Sequence, residues 1–360
     1  MFRRFQRALS CTSKPVLTRL TVTATPVRVI SRRRFATVSP LIIAPGVPHP
    51  SEPAREKSLD GVPPGVGSHV LRAASRGDQT TLEEIIKQYV DKAGTVLDIS
   101  LPYESRPSAT RRPLLEDVHD SCKDVITVAH YPQFGREHKI TLSSGFAVNA
   151  REKDRETLIV TCAHTLEEIR QSPLLLAGNS NPMKKLSGTF VVAGTGDTVT
   201  VYPVSRVVSC LPMSDLLLLS CSIPPGVVNT LPVSPYPAHR DTTIRAHFVL
   251  HDEFQAGKGW RPWVGDSWGK WVEGRVLGYR DFAGRETHPG TYDALSHLLF
   301  TPLPTAGSSG GPIIDEESGS VVGVMLGSRM DSRVEGVRGW GVPSETIFEM
   351  FTLPGLECKK

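Results

Sequence analysis

The sequence is poor in the residues that build disulfide frameworks and metal sites. It has six cysteines among 360 residues, with no CxxC pair and no HExxH motif. Without its first 35 residues the chain keeps five cysteines, Cys122, Cys162, Cys210, Cys221 and Cys358. An odd number cannot all pair internally, which argues against a disulfide framework. The sequence predicts no metal site and implies no cofactor.

Long apolar runs are also absent, since no stretch reaches the roughly 20 residues of a membrane-spanning helix. The formal charge is +4, but residues 1–35 hold nine Lys/Arg and no acid, so the remainder carries −5. No basic patch is left that would favour a nucleic-acid partner. At 39% apolar content the chain is typical of a soluble globular protein.

The acid-free segment, residues 1–35, has the composition of a mitochondrial presequence. It is rich in Arg, Ser and Thr, and Phe2, Phe5 and Leu9 fall on one side of a short basic helix. Arg33-Arg34-Phe35 resembles a processing site, which places the mature start near Ala36. We therefore expect a mitochondrial protein, in the matrix or the intermembrane space. A disordered basic arm is the alternative, whereas a secretory signal is disfavoured by the lack of an apolar core.

Residues 36–114 are predicted to be a Pro-rich linker with a short helical extension. Proline and glycine are dense from residue 36 to about residue 67, which disfavours regular structure. Residues 80–92 carry threonines, then acids, then apolar positions at helical spacing. This pattern predicts an amphipathic helix that packs on the following domain or on a partner.

Residues 115–356 are predicted to form an all-β domain. Short apolar runs alternate with polar turns, which is typical of antiparallel barrels. One barrel is expected over about residues 118–222 and a second over about 241–343, joined by a proline-bearing connector. Residues 344–351 begin with a capping-box pattern and predict a C-terminal helix.

The stretch Thr305-Ala306-Gly307-Ser308-Ser309-Gly310-Gly311-Pro312 is the strongest candidate for chemistry. A serine nucleophile needs a neighbouring base and preorganised N–H donors for its oxyanion. Glycines let the backbone approach a substrate carbonyl and adopt turns closed to other residues. An ordinary Ser/Gly turn is the alternative interpretation of this stretch alone.

Two further residues fit the needs of Ser309. His164 follows the apolar run Leu158-Ile159-Val160, and Asp215 precedes four leucines that must be buried. Alone, His164 is equally explained as a core histidine and Asp215 as a capping carboxylate. The three residues occur in the order His, Asp, Ser, which separates this chain from the other folds that carry such a triad.

On these motifs the chain resembles the chymotrypsin-like (trypsin-fold) serine proteases over roughly residues 118–352. Two motifs resemble the HtrA-type branch of that family, Ser144-Gly145-Phe146-Ala147-Val148 and, one residue shorter than the family pattern, Gly339-Trp340-Gly341-Val342-Pro343-Ser344. Only nine residues follow Phe351, so no PDZ domain is expected. Digestive members have an acid before the nucleophile, where this chain has Ser308. The resemblance therefore implies no trypsinogen-like activation switch.

The resemblance also implies roles for residues. His164 would be the general base, Asp215 would orient it, and the N–H groups of Gly307 and Ser309 would form the oxyanion hole. Leu303 would lie at the base of the S1 pocket, with Met325-Leu326-Gly327 as its wall. Neither place offers a charge, so cleavage after small or medium apolar side chains is expected.

Two features near residue 265 have competing interpretations. Trp260, Trp263, Trp268 and Trp271 could form a peptide-binding wall, but packing beneath a long loop is favoured. Gly265-Asp266-Ser267-Trp268-Gly269 looks like a G-D-S-x-G serine motif. Ser267 is rejected as the nucleophile because it lacks the second glycine and the proline that follow Ser309.

The sequence therefore predicts a serine endopeptidase with polypeptide substrates, acting in mitochondrial protein quality control. The alternatives are a catalytically silent binding or chaperone-like module of the same fold, and a partner protein whose function lies in residues 36–114. The sequence does not reveal the oligomeric state or the physiological substrate.

Overall fold

The computed structural model describes residues 64–115, 123–135, 137–150, 156–177, 185–195, 198–251 and 259–356. All of them belong to one unit, Arg55–Lys360. The predicted presequence, its processing site and most of the predicted linker lie outside the described residues, as do Cys122 and Cys358. No helix of the described ranges is long and apolar enough to cross a membrane.

Two helices and a strand precede the barrels. They are α1 (Pro64–Ala74), α2 (Leu82–Asp91) and β1 (Leu97–Ser100), followed by a short 3-10 helix (Ala109–Arg111). The amphipathic pattern at residues 80–92 is helix α2, whose N-cap Thr81 accepts a hydrogen bond from the Glu84 backbone N–H. Helix α1 begins inside the stretch predicted as linker, and a proline at its start suits the first helical turn.

The first barrel closes with six strands. Its elements are β2 (Ile126–Phe134), β3 (Glu137–His138), β4 (Thr141–Val148), β5 (Thr157–Cys162), α3 (His164–Arg170), α4 (Pro173–Ala177), β6 (Lys185–Ala193), β7 (Thr200–Leu211), β8 (Leu216–Cys221) and β9 (Thr230–Leu231). The ring runs β2-β6-β7-β8-β5-β4, and the pairing of β4 with β2 closes it. Every pairing in this ring is antiparallel.

The second barrel repeats this architecture. Its strands are β10 (Thr243–Leu250), β11 (Arg261–Pro262), β12 (Trp268–Arg280), β13 (Glu286–Thr287), β14 (His297–Thr301), β15 (Pro312–Asp315), β16 (Val321–Ser332) and β17 (Gly336–Pro343). The ring runs β10-β15-β16-β17-β14-β12 and closes between β12 and β10. The predicted all-β fold of two antiparallel barrels is therefore confirmed.

The C-terminal helix is shorter than predicted. Helix α5 covers only Glu345–Phe348, and the chain then enters β18 (Phe351–Thr352). Strand β18 pairs in parallel with β1 of the N-terminal extension. Backbone pairing therefore takes Phe351 out of the expected helix.

The two faces of β8 connect the barrels. Leu217 and Leu219 belong to the core cluster of barrel 1 that also contains helices α2 and α3. Leu216 and Leu218 belong to a second cluster that includes Ile314 and other residues of barrel 2. A strand buried on both faces explains the unbroken apolar run after Asp215. The junction of the barrels therefore lies beside the start of β8.

The N-terminal extension is built into this core. Leu82, Ile85 and Tyr89 of α2 are buried in the barrel 1 cluster. The Cys210 thiol donates to the Tyr89 carbonyl at 3.0 Å, and the Val207 N–H donates to the Gln88 side chain at 2.9 Å. Helix α2 is therefore part of the packed core of barrel 1.

If α2 is part of the core, Ile85→Ala should lower the free energy of unfolding by about 2–5 kcal/mol. Ile85 is fully buried, and removing its methyl groups costs their transfer free energy plus a cavity term. Urea unfolding followed by circular dichroism would measure the change.

The matched control is Val90→Ala on the same helix, where the side chain is 52% exposed. It should change the free energy of unfolding by no more than about 0.5 kcal/mol. Equal and small effects at both positions would contradict the packing of α2.

Candidate active site

His164 is held at the end of a buried strand. Strand β5 is buried along almost its whole length, and His164 is the first residue of α3. Leu166 and Ile169 anchor that helix in the barrel 1 core. The histidine side chain is thus fixed at its base, and 43% of it is still exposed.

Asp215 lies opposite His164 because of strand register. Cys162, the last residue of β5, pairs with Leu216, the first residue of β8. Asp215 joins β8 to a short 3-10 helix (Pro212–Ser214) and adopts a left-handed conformation, with φ 56° and ψ 34°. Only a few per cent of non-glycine residues have positive φ, and aspartate is among those that tolerate it best. This turn reverses the chain so that the carboxylate faces the start of α3.

Both oxygens of the Asp215 carboxylate are used. Oδ1 accepts hydrogen bonds from the backbone N–H groups of Ala163 and His164, at 2.8 and 2.7 Å. Oδ2 accepts from His164 Nδ1 at 2.6 Å. A proton on Nδ1 leaves Nε2 as the ring nitrogen that can accept another.

This environment changes the pKa of His164. Burial of the ring lowers that pKa, but the hydrogen bonds to Asp215 and Cys162 and the charge of Asp215 outweigh burial, so the net pKa lies above its ordinary value of 6.5. A charge partner within hydrogen-bond distance favours the imidazolium form. The arrangement therefore stabilises the cation that a general base becomes when it accepts a proton.

Ser309 lies in a turn that packs against barrel 1. The Ser144 N–H donates to the Ser309 carbonyl at 2.8 Å. Gly310 has φ +83°, and a Cβ there would lie 2.2 Å from the Ser144 carbonyl oxygen and 2.8 Å from the Cys162 backbone nitrogen. No side chain fits in that space, which explains the glycine. The residue after Ser309 thus touches the end of β5, two positions before His164.

The Ser309 hydroxyl has a partner in barrel 2. Its Oγ donates to the Leu326 carbonyl at 3.0 Å. Leu326 falls at a register shift between Met325 and Gly327 in the pairing of β16 with β17. On the other side, His164 Nε2 lies 3.7 Å from the Cys162 thiol. Among the described residues, no hydrogen bond joins Ser309 Oγ to His164.

The backbone around Gly307 is shaped by two neighbours. The Ser144 hydroxyl donates to the Gly307 carbonyl at 2.9 Å. Gly307 has φ +86°, and a Cβ there would lie 2.2 Å from His251 Nε2. No described residue accepts a hydrogen bond from the N–H of Gly307 or of Ser309. Sequence reasoning missed His251, although its position directly after β10 was a usable signal.

The predicted S1 residues differ in their exposure to solvent. Leu303 is 50% exposed, whereas Met325 is fully buried in the barrel 2 core. Met325 contributes backbone instead, since its carbonyl accepts from the Gly310 N–H at 2.6 Å. A Cβ on Gly327 would lie 4.0 Å from Ser309 Oγ. The wall strand therefore borders the serine, and the role of Leu303 stays a prediction.

The serine of the G-D-S-x-G motif is occupied elsewhere. Ser267 is 2% exposed, and its Oγ donates to the Val264 carbonyl at 2.5 Å. It closes a tight turn, which agrees with its rejection as a nucleophile.

The clustered tryptophans mainly pack. Trp263 is 3% exposed and belongs to an apolar core cluster, and Trp271 is partly buried against that cluster. Both also line a cavity of about 870 Å³ with Arg245, His247 and Lys270. None of the three predicted triad residues lines this cavity.

Comparison with known proteins identifies a family. The model of the trypsin-like peptidase domain matches residues 143–324. A comparison with curated protein sequences finds no significant match.

Similar solved structures include three proteins with low identity. Deg5 has a TM-score of 0.40 at 15% identity, over 63% of this chain and 86% of that chain. The MamO protease domain of Magnetospirillum magneticum has a TM-score of 0.39 at 16% identity, over 63% and 94%. The Rv3671c protease of M. tuberculosis, in its active form, has a TM-score of 0.38 at 18% identity, over 68% and 85%. These similarities are too distant to bear on activity.

Asp215→Asn should lower the pKa of His164, because the hydrogen-bonded carboxylate helps to hold that pKa above 6.5. An NMR titration of the imidazole would measure it. The pKa of His164 is higher in the folded than in the unfolded protein, so protonation of His164 stabilises the fold. This stabilisation is complete below the unfolded pKa and is lost as pH rises through the folded pKa. The difference in unfolding free energy between wild type and variant should therefore be larger at about pH 6 than at about pH 10.

His164→Gln identifies the imidazole signal and serves as the control. A wild-type pKa at or below 6.5, or the same pKa in both proteins, would contradict the role assigned to the carboxylate.

Proposed function

The chain belongs to the family of trypsin-like peptidase domains, and from that premise we propose that it is a serine-type endopeptidase whose nucleophile is Ser309. His164 is the general base and Asp215 orients it. One observation carries the proposal. His164 Nδ1 and Asp215 Oδ2 form a 2.6 Å hydrogen bond at the end of strand β5, and Gly310, the residue after Ser309, packs against that same strand end. Its substrates are polypeptides.

The reaction follows from the roles of these groups. Ser309 Oγ forms a bond to the peptide carbonyl carbon, and its proton passes to His164 Nε2. Asp215 keeps the other ring proton on Nδ1 and stabilises the imidazolium. The same proton then goes to the leaving amine as the C–N bond breaks, which leaves an acyl-enzyme. Water attacks that ester and gives its proton to Nε2, which passes it to Ser309 Oγ as the bond between Oγ and the acyl carbon breaks.

The oxyanion is stabilised by the N–H groups of Gly307 and Ser309. The two groups belong to one turn, and neither donates to a described residue, which supports this role. Removing one such donor typically costs on the order of 10²–10³ in rate. The Gly307 backbone is supported by the hydrogen bond from Ser144. Barrel 1 therefore contributes to the oxyanion site as well as to the base.

Catalysis requires Ser309 to change its hydrogen-bond partner. The hydroxyl donates to the Leu326 carbonyl at 3.0 Å, and the attack requires it to donate to His164 Nε2 instead. Rotation about the Ser309 side-chain bond frees the hydroxyl from the Leu326 carbonyl, since hydroxyl groups turn to suit their partners. The same hydrogen bond favours the one competing hypothesis, a silent module in which Ser309 never reaches the base.

Ser309→Ala should abolish labelling by a fluorophosphonate probe and lower peptide cleavage by on the order of 10⁴–10⁶. In a hydrolase of this type the nucleophile and its base act as a unit, so loss of the hydroxyl removes covalent catalysis altogether. Mass spectrometry of the labelled protein and a fluorogenic peptide assay would measure both effects.

Ser108→Ala is the control, because it makes the same change at an exposed serine of the N-terminal extension, outside both barrels, and the label should still appear on Ser309. Wild-type protein that takes up no label and cleaves no peptide would support the silent module.

The mitochondrial location is a separate proposal that rests on composition. Residues 1–35 carry nine basic residues without an acid, and such a helix is drawn by its charge towards the matrix. A peptidase there would act in protein quality control, either in the matrix or in the intermembrane space.

Residues 1–35 fused to a fluorescent protein should co-localise with a mitochondrial marker. Replacing Arg3, Arg4 and Arg7 with glutamate should disperse the signal, because it reverses the charge at the start of the basic segment. Diffuse cytosolic fluorescence from the unaltered fusion would refute the proposal.

A further inference from the structure

Helix α1 contacts a turn of barrel 2 through backbone groups. The Gly65 N–H donates to Asp266 Oδ2 at 2.8 Å. A Cβ on Gly265 would lie 2.5 Å from the Val66 nitrogen, and one on Gly65 would lie 2.9 Å from the Asp266 nitrogen. Two glycines thus bring the backbones into direct contact, and the carboxylate accepts a donor that a helix start leaves unpaired.

The turn that carries Asp266 is itself rigid. The Trp263 N–H donates to the Ser267 carbonyl at 2.9 Å, and the Ser267 N–H donates to the Val264 carbonyl at 3.2 Å. The Ser267 hydroxyl makes a third bond, also to the Val264 carbonyl. This turn therefore transmits the position of the helix to the strands that it joins.

The helix and the turn share one apolar core with β10. Val66 and Val70 of α1, Trp263 and Val264 of the turn, and Val249 of β10 are buried in the same cluster. Each is at most 3% exposed. Because protein interiors are close-packed, a displacement of α1 must move its neighbours or open a cavity.

Val249 holds the nucleophile loop. Its backbone N–H donates to Ser308 Oγ at 2.9 Å and to Thr305 Oγ1 at 3.2 Å. The two hydroxyl oxygens lie 2.9 Å apart, and Ser308 is fully buried. Ser308 directly precedes Ser309, and Thr305 begins the same turn. The backbone of β10 therefore sets where the nucleophile and its N–H donors lie.

We propose that helix α1 is a positioning element for the nucleophile loop, acting through Asp266, the turn that carries it and Val249. The inference rests on the proposed function of Ser309. Helix α1 lies outside both barrels in sequence, yet it shares a buried apolar cluster with Val249, whose N–H donates to Ser308. Ser308 bears no charge, so packing and neutral hydrogen bonds hold this loop.

The decisive variant is Asp266→Ala, which removes the acceptor of the Gly65 N–H. We expect kcat to fall by about tenfold or more, with the roughly 10²–10³ that loss of a whole oxyanion donor costs as the upper bound. KM should change less than kcat, because the wall strand β16 is untouched. Asp266→Asn keeps an acceptor oxygen at the same place and should restore most of the activity.

Asp281→Ala is the matched control. Asp281 also lies in a turn of barrel 2, and its Oδ1 accepts the Arg285 N–H at the same 2.8 Å. It does not contact α1 or the nucleophile loop in the described structure. Its kcat should stay within about twofold of wild type, even if its melting temperature falls.

A double variant tests the route. If the effect passes through Ser308, Asp266→Ala should cost less in a Ser308→Ala background than alone, since coupled sites are not additive. Full additivity would overturn the route through Ser308.

Hydrogen exchange gives a readout that needs no activity. Amides of residues 305–311 should exchange faster in Asp266→Ala than in Asp281→Ala. Suppose that Ser309 of the wild-type protein takes up the label. Unchanged exchange at residues 305–311, or equal losses of kcat in Asp266→Ala and Asp281→Ala, would then overturn the positioning role. Failure of wild-type Ser309 to label would instead refute the proposed function, and faster exchange in Asp266→Ala would still support the positioning role.

Discussion

The site depends on one carboxylate that is held in place by strand register. Because Cys162 pairs with Leu216, the chain entering α3 and the chain entering β8 start from adjacent positions. Asp215 then needs only its left-handed turn to reach two backbone N–H groups and the imidazole. A one-residue slip of β8 would turn its buried leucines to the opposite faces. The observed register of β8 against β5 therefore fixes the geometry of the histidine–aspartate pair.

The second constraint is the close approach of the barrels at the nucleophile loop. Ser144 of β4 donates twice to this loop, from its N–H to Ser309 and from its hydroxyl to Gly307. Gly310 fits between the Ser144 carbonyl and the end of β5 only because it lacks a side chain. Barrel 1 supplies the proposed base and part of the support, whereas barrel 2 supplies the proposed nucleophile. The candidate site thus lies where the two barrels meet, as ligand and reaction sites commonly do.

Much of this was predictable from local pattern. Short apolar runs separated by turns predicted the two barrels, and motif order placed His164, Asp215 and Ser309 together, of which the His–Asp pair is observed directly. Helix α1 was missed because Gly65, Gly67 and the nearby prolines argue against a helix, while its stability comes from burial of Val66 and Val70 in tertiary contacts. The partner of the Ser309 hydroxyl could not be predicted, since it depends on a register shift at Leu326. The closing helix was overestimated because pairing of β18 with distant β1 leaves no trace in local sequence.

The candidate site has two parts, a charged histidine–aspartate pair and an uncharged loop around Ser309. His164 and Asp215 interact through charge, so the strength of their interaction depends on the protonation of His164. The nucleophile loop is held by hydroxyl and backbone groups, each bond worth about 0.5–1.5 kcal/mol, and none of them ionises near neutral pH. Burial lowers the pKa of His130 and of His247 to about 3, so both stay neutral in that range. Protonation of these two histidines therefore does not disturb the loop near neutrality, and the positioning proposed for helix α1 acts through packing.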